Sequence, residues 1–169
     1  MDIDYFETTQ YLEWLKEKLR LNNLAGRAKN RVVRRGEVYE CYFGIGIGSE
    51  ERKKRPCVIL QNDTANKNSG NVLVAPISHS FCTSPVVIPI VAQTDSNGIT
   101  ILDGNVLIGN MSCVSKARLD KYISKLSKQE MYAVDQAIIV QTGLLNKFNV
   151  LNNIIADKDK YIEKLKNNS

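Results

Sequence analysis

Histidine is almost missing from this 169-residue sequence; His79 is the only one. The four cysteines, Cys41, Cys57, Cys82 and Cys113, stand far apart, and no C-x-x-C pair occurs. That excludes a zinc site built on closely spaced ligand pairs and gives no disulfide framework, so no metal or cofactor is expected. Three of the four cysteines fall in strand-like apolar runs, where reduced cysteine acts as a small buried hydrophobe. No apolar run approaches the ~20 residues needed to cross a bilayer, and no membrane association is expected. The opening MDIDYFET is acidic and lacks the apolar core of a secretory signal. The expectation is a cytoplasmic protein with reduced thiols. There is no G-x-S-x-G elbow to support a serine hydrolase, and no internal repeat or low-complexity linker.

What is present divides into three zones: residues 1–30, 31–144 and 145–169. In the first, Asp4 and Glu7 suit a helix start, where a carboxylate accepts orphan backbone N–H groups. Tyr5, Thr8, Leu12, Leu15 and Leu19 then recur at spacings of three and four, with Tyr11 and Trp14 beside the stripe, which predicts an amphipathic helix packed on its own domain or across a dimer. The second zone holds many short strand patterns. Glu37–Phe43 is rich in aromatic and branched residues, and 57–60 and 72–77 are short apolar runs of the buried type. Pro85 and Pro89 mark 85–90 as an edge strand. Asp95-Ser96-Asn97-Gly98 reads as a turn, and Asp103-Gly104 between two apolar triplets reads as a hairpin. Near-regular short strands favour a small barrel. The zone closes on a helix with a Ser127/Glu130 capping box, an apolar face of Met131, Val134, Ile138 and Ile139, and a C-cap at Gly143. In the third zone Phe148, Leu151, Ile155, Ile162 and Leu165 lie near helical spacing, followed by a polar Lys/Asn tail.

Four segments carry candidate chemistry. The alternating glycines of Gly44-Ile45-Gly46-Ile47-Gly48 invite a dinucleotide reading, but no helix follows them; a charged run, a proline and a strand do, so a hairpin loop is expected. Arg52, Lys53, Lys54 and Arg55 are contiguous. Such a run is by default a solvated loop tip, and alternatively a phosphate-contacting lid over a groove. Arg55 differs from its neighbours because Pro56 and an apolar strand follow at once, pinning its base on the scaffold. Ser78 and His79 stand where a strand leaves the core; a lone histidine is more often structural, yet it titrates near neutrality and suits proton transfer. Ser115-Lys116-Ala117-Arg118-Leu119-Asp120-Lys121 is either a solvated turn before the last helix or a second basic strip for an RNA backbone. The formal net charge of +5 and pI of about 9.0 permit an anionic partner without requiring one.

Taken in order, Arg34-Arg35-Gly36-Glu37-Val38-Tyr39, Gly48-Ser49-Glu50, 55–63 from Arg55-Pro56 to Asn62-Asp63, 72–78 and 114–119 resemble the MazF/PemK family of toxin endoribonucleases, over about 32–144. The resemblance implies a mainly β fold with flanking helices, a small SH3-like or CcdB-like barrel with a C-terminal helix, here with further N- and C-terminal amphipathic helices. It implies a homodimer, a cognate antitoxin as partner, and metal-independent cleavage of single-stranded RNA by attack of a 2′-hydroxyl on the adjacent phosphate, leaving a 2′,3′-cyclic phosphate and a 5′-hydroxyl. Carried over, Arg55 would stabilise charge on the scissile phosphate, and Ser78 would bond the phosphate or the 2′-hydroxyl. His79 is a third catalytic candidate, and Arg52, Lys53, Lys54, Asn62, Lys116 and Arg118 are RNA-binding candidates. The family's Glu and Arg in an E-Q-I-R-like segment are replaced here by Gly109-Asn110-Met111-Ser112. The rival readings are a degenerate toxin that only binds an antitoxin or nucleic acid, and a CcdB-like gyrase poison.

Overall fold

The computed structural model describes residues 4–79 and 82–167. Its first element, α1 (Tyr5–Ala28), begins where the Asp4 carboxylate accepts the amide protons of Phe6 and Glu7. Glu, Leu, Lys, Arg and Ala then carry 24 helical residues with little propensity cost. The face that docks is not the leucine stripe. Leu12, Leu15 and Leu19 stay half or more exposed, whereas Leu21 is buried and Trp14, Ala25 and Ala28, on the same side, are partly covered. Trp14 lies so close to Gly44 that an added Cβ would stand 2.3 Å from its indole, and Gly44 also has φ +92°. Two apolar faces compete on this helix, and the less leucine-rich one meets the barrel.

A hairpin follows, β1 (Glu37–Gly44) with β2 (Lys53–Ile59), and then a short α2 (Asp63–Asn68) and β3 (Asn71–Ser78). The remaining strands are β4 (Val87–Pro89), β5 (Gln93–Thr94), β6 (Thr100–Leu102), β7 (Asn105–Leu107), β8 (Ser112–Ser115) and β9 (Leu119–Lys125). All pairings are antiparallel, in the order β4-β7-β3-β2-β1-β9, with β8 on the first half of β3. A 3-10 turn, Lys116–Arg118, carries the chain from β8 to β9, and β9 pairs with β1, so β8, β3, β2, β1 and β9 wrap around one apolar cluster. That cluster takes Tyr39, Cys41, Cys57, Ile59, Val72, Val74, Val114 and Leu119. Their alternating neighbours Val38, Val58, Ala75 and Ile77 face a second cluster under α3 (Lys128–Gln141), which inserts Val134 and Ala137. The sheet is buried on both faces, which is why its strands read as continuous apolar runs.

Strand β4, which holds Pro89, sits at the sheet edge, where a missing N–H is tolerated. Asp95 closes its turn by accepting from the Asn97 and Ile99 amides. The hairpin expected at Asp103-Gly104 does not form. There β6 pairs with β5, while β7 pairs with β3 and β4. Gly104, at φ +105°, turns the chain past the end of β3, where an added Cβ would meet the Ser78 carbonyl at 2.8 Å. The glycine serves a close backbone crossing instead of a two-residue turn.

Both caps of α3 have the form the residues suggest. Ser127 and Glu130 make the reciprocal capping box. Gly143 (φ +69°) donates to Val140 O and Leu144 to Ile139 O, which satisfies the last carbonyls. A final helix, α4 (Leu145–Asn167), has no buried residue. Cys41 and Cys57 are buried in the barrel, whereas Cys82 and Cys113 are exposed. Among the described residues, no helix is long and apolar enough to cross a membrane.

Candidate active site

The hairpin geometry places the first site residue. Arg55 lies in β2 opposite Cys41 of β1, just after the loop 45–52, and the buried residues from Cys57 onward anchor it. Ser78 is the last residue of β3, next to β2 in the sheet, and pairs with Asn105 of β7. Arg55 Nη1 donates to Ser78 Oγ at 3.3 Å. The Arg55 side chain is 40% exposed and keeps a face to solvent, while Ser78 is largely covered.

Two residues that sequence reasoning passed over complete this group. Glu51, at the end of the loop, forms an ion pair with Arg55, Oε2 to Nε 2.9 Å, and accepts from Asn110 Nδ2 at 3.2 Å. Asn110 ends the 3-10 turn Ile108–Asn110, within the segment that lacks the family's Glu and Arg. A carboxylate therefore does stand beside the arginine, supplied by the loop. The available signal was the opposite charge of Glu51 four residues before Arg55, obscured by the longer basic run. Arg55 Nε also approaches Arg52 O at 3.2 Å. The guanidinium is thus held on one side by Glu51 and on another by Ser78. With five N–H donors in a planar fork, it still has donors for an incoming anion.

Glu51 and Asn110 lie in the wall of a groove of about 860 Å³, bounded by the loop (Ile45, Ile47, Glu50) and by 109–115, whereas Arg55 and Ser78 do not line it. Arg118 forms part of its wall, but its Nη1 donates to the Tyr42 and Phe43 carbonyls, both at 2.9 Å, and its guanidinium stacks 5.3 Å over Trp14. It joins β1, the 3-10 turn and α1.

The other candidates scatter. His79 is one residue past β3; its imidazole is 79% exposed and its Nε2 lies 2.9 Å from Asp103 Oδ1. Lys54 is held by Glu40 at 2.5 Å and Asp120 at 2.6 Å, and these two carboxylates raise its pKa far above the usual lysine value. Asp120 is lowered in turn, chiefly by Lys54. Lys53 is exposed with a left-handed backbone (φ 64°), and Arg52 donates to Gly48 O. Asn62 caps α2 through its side-chain oxygen, which accepts from Ala65 N. Lys116 corrects the sequence reading. It is 1% exposed, its Nζ donates to Asn66 O at 2.6 Å and Lys29 O at 3.3 Å, and burial depresses its pKa. It ties the end of α1 to α2 inside the molecule and offers no surface to RNA. Among the described residues, no three His, Cys, Asp or Glu side chains converge as metal ligands.

Fold and site together define a small antiparallel barrel with an arginine–hydroxyl pair beside its first hairpin loop. Residues 34–142 match the family model described as PemK-like, MazF-like toxin of type II toxin-antitoxin system. The chain belongs to this family, the MazF-type toxin endoribonucleases. The Endoribonuclease MazF of Staphylococcus epidermidis is 34% identical over 116 residues, 68% of this chain and 95% of the relative. Among solved structures, MazF from Deinococcus radiodurans (Form-I) superposes with a TM-score of 0.58 at 17% identity, over 67% of this chain and 98% of its own. A mycobacterial endoribonuclease in complex with its cognate antitoxin gives 0.56 at 22%, over 66% and 96%. At these identities the structures support the fold alone.

Proposed function

We infer that this protein is a sequence-selective endoribonuclease of the toxin type, cutting single-stranded RNA without a metal ion. The observation that carries the reading is the 3.3 Å contact between Arg55 Nη1 and Ser78 Oγ, with Glu51 joining Arg55 to the wall of an open groove. A partly exposed guanidinium next to a hydroxyl suits a phosphodiester, whose developing negative charge is stabilised by preorganised donors. In the reaction the ribose 2′-oxygen attacks its adjacent phosphorus. The P–O5′ bond breaks, the 2′-hydroxyl proton leaves to a base, and the departing 5′-oxygen gains a proton. The products are a 2′,3′-cyclic phosphate and a 5′-hydroxyl. Arg55 holds the non-bridging oxygens through the donors that Glu51 and Ser78 leave it, and Ser78 Oγ orients the phosphate or the 2′-hydroxyl. Holding the 2′-oxygen in line with the leaving oxygen supplies much of the rate.

Glu51 acts on Arg55 as a positioning residue, with Asn110 fixing its carboxylate. Arg52 and Lys53 lie exposed on the strand-end side of the loop and suit backbone phosphates. Lys54 is engaged by two carboxylates and Arg118 by carbonyls and an indole, so neither is assigned a phosphate. His79 is assigned to the Asp103 pair and not to the chemistry. A cognate antitoxin and a homodimer belong to the same reading, which the family supports and the antitoxin-bound mycobacterial neighbour illustrates.

The test is Arg55→Ala, assayed on a long single-stranded RNA in EDTA. Cleavage is expected to fall by about 10²–10³-fold, as when an oxyanion-stabilising donor is removed, with far-UV circular dichroism unchanged. Cleavage at the wild-type rate by the folded variant would refute the assignment. Intact RNA with the wild-type protein would favour the binding-module reading.

A further inference from the structure

Helix α4 spans 23 residues, about 35 Å at the helical rise, and none of its side chains is buried. Leu145, Phe148, Val150, Leu151, Ile154, Ile155, Tyr161, Ile162 and Leu165 are all more than 40% exposed. The apolar positions have a strict order. Leu144, Phe148, Leu151, Ile155, Ile162 and Leu165 fall on the alternating three- and four-residue steps of a heptad seam, with Lys158 its one polar position. The same spacing also serves a helix packed on its own domain, but α4 has no buried residue, so its seam is left for a partner helix. An isolated helix of this length is marginal in water, so a cover for the seam also supports the helix itself.

We propose that α4 pairs antiparallel with α4 of a second copy of this chain, through an interface separate from the barrel. Lys158 selects the orientation. In a parallel pair the two Lys158 ammoniums would face each other in the seam, and like charges there destabilise. In the antiparallel pair, aligned on a twofold axis midway along the seam, the layers join Phe148 with Leu165, Leu151 with Ile162, and Ile155 with Lys158. Lys158 then lays its stem along an isoleucine and keeps its ammonium at the solvent rim. Ile154 and Tyr161 meet beside the seam and widen the apolar contact. Two such faces bury on the order of 1,000–1,500 Å², which reaches the size of stable protein interfaces. The interface is self-complementary, as a twofold dimer requires.

The leucine stripe of α1 is also exposed, but Thr8 and Asn22 interrupt its seam, so it offers fewer apolar layers than α4. The full chain, with Cys82→Ser and Cys113→Ser removing the exposed thiols, provides the test. Leu151→Cys and Ile162→Cys forms, co-expressed and oxidised, should cross-link between chains, while each alone should not. Self-linking by Leu151→Cys alone would show a parallel pair and overturn the proposal, as would no link in the mixture. Light scattering supplies the second measurement. Leu151→Glu with Ile162→Glu should lower the molar mass at least twofold, and Leu12→Glu with Leu19→Glu should not change it. A wild-type mass for the α4 variant, or loss of mass only in the α1 variant, contradicts the interface.

Discussion

Arg55 owes its position to the residues on either side of it. The buried Cys57–Leu60 run fixes the strand, and the carboxylate of Glu51 fixes the head group. Because Asn110 holds the other oxygen of Glu51, the guanidinium plane is set before substrate arrives. Glu51→Gln keeps the shape and removes the charge. It is expected to lower kcat more than it raises KM, because a loosened Arg55 still meets the phosphate but holds its transition-state charge less well. Equal kcat for wild type and variant on one RNA would remove Glu51 from the mechanism. His79→Ala, by contrast, should cut RNA at the wild-type rate, since its imidazole pairs with Asp103 at the surface; a loss comparable to that of Arg55→Ala would return His79 to the chemistry. Lys116 bears on stability and not on catalysis. It is a buried cation whose hydrogen bonds end on two backbone carbonyls. Lys116→Met should cost about 2 kcal/mol of stability by leaving those carbonyls unpaired, read as a lower urea midpoint with RNA cleavage retained.

Among the elements, α1 meets the β1–β2 hairpin where Trp14 lies on Gly44, with the Arg118 guanidinium stacked on the same indole, and where Arg20 lies over the Tyr42 ring. Gly44→Ala introduces a Cβ into the ring and strains a left-handed residue. It should release α1 from the barrel, seen as faster amide exchange across α1 while β1 stays protected; unchanged protection of α1 would refute the contact. This coupling also marks where the sequence was legible and where it was not. The α3 caps were readable because Ser127, Glu130 and Gly143 act within one turn of the chain. The edge position of β4 followed from prolines that cannot donate to a ladder. The docking face of α1 was not readable, because the choice between two apolar faces is made by Gly44 and Arg118, remote in sequence. The Asp103-Gly104 corner failed for a similar reason: local turn chemistry is the same whether the glycine serves a hairpin or a crossing beside Ser78. Arg55 and Ser78 could be named from the resemblance, but Glu51 and Asn110 meet only through the 3-10 turn after β7, and the burial of Lys116 needs α1 and α2 in place.

For the whole molecule, the acid side of the stability profile follows from the lowered carboxylates. Asp120 is held below its ordinary value chiefly by Lys54, and Asp95 by the Ile99 and Asn97 amides. A carboxylate whose folded pKa lies below its unfolded value contributes stability that is complete above the unfolded value, near 3.8, and is lost as pH falls through the folded one. Urea midpoints should therefore hold from neutrality to about pH 4 and decline below it, less steeply for Asp120→Asn; parallel declines for the two proteins would remove this pair from the profile. Barrel, loop and outer helices form a scaffold that sets the partly exposed Arg55 side chain against the covered Ser78 hydroxyl. The most direct measurement of what that pair does is end-mapping of a long single-stranded RNA after incubation in EDTA. The wild type should give discrete fragments ending in 2′,3′-cyclic phosphate and beginning with 5′-hydroxyl, and folded Arg55→Ala should give them about 10²–10³-fold more slowly. Fragments with the same ends and rate from both proteins, or other end groups from the wild type, would contradict it.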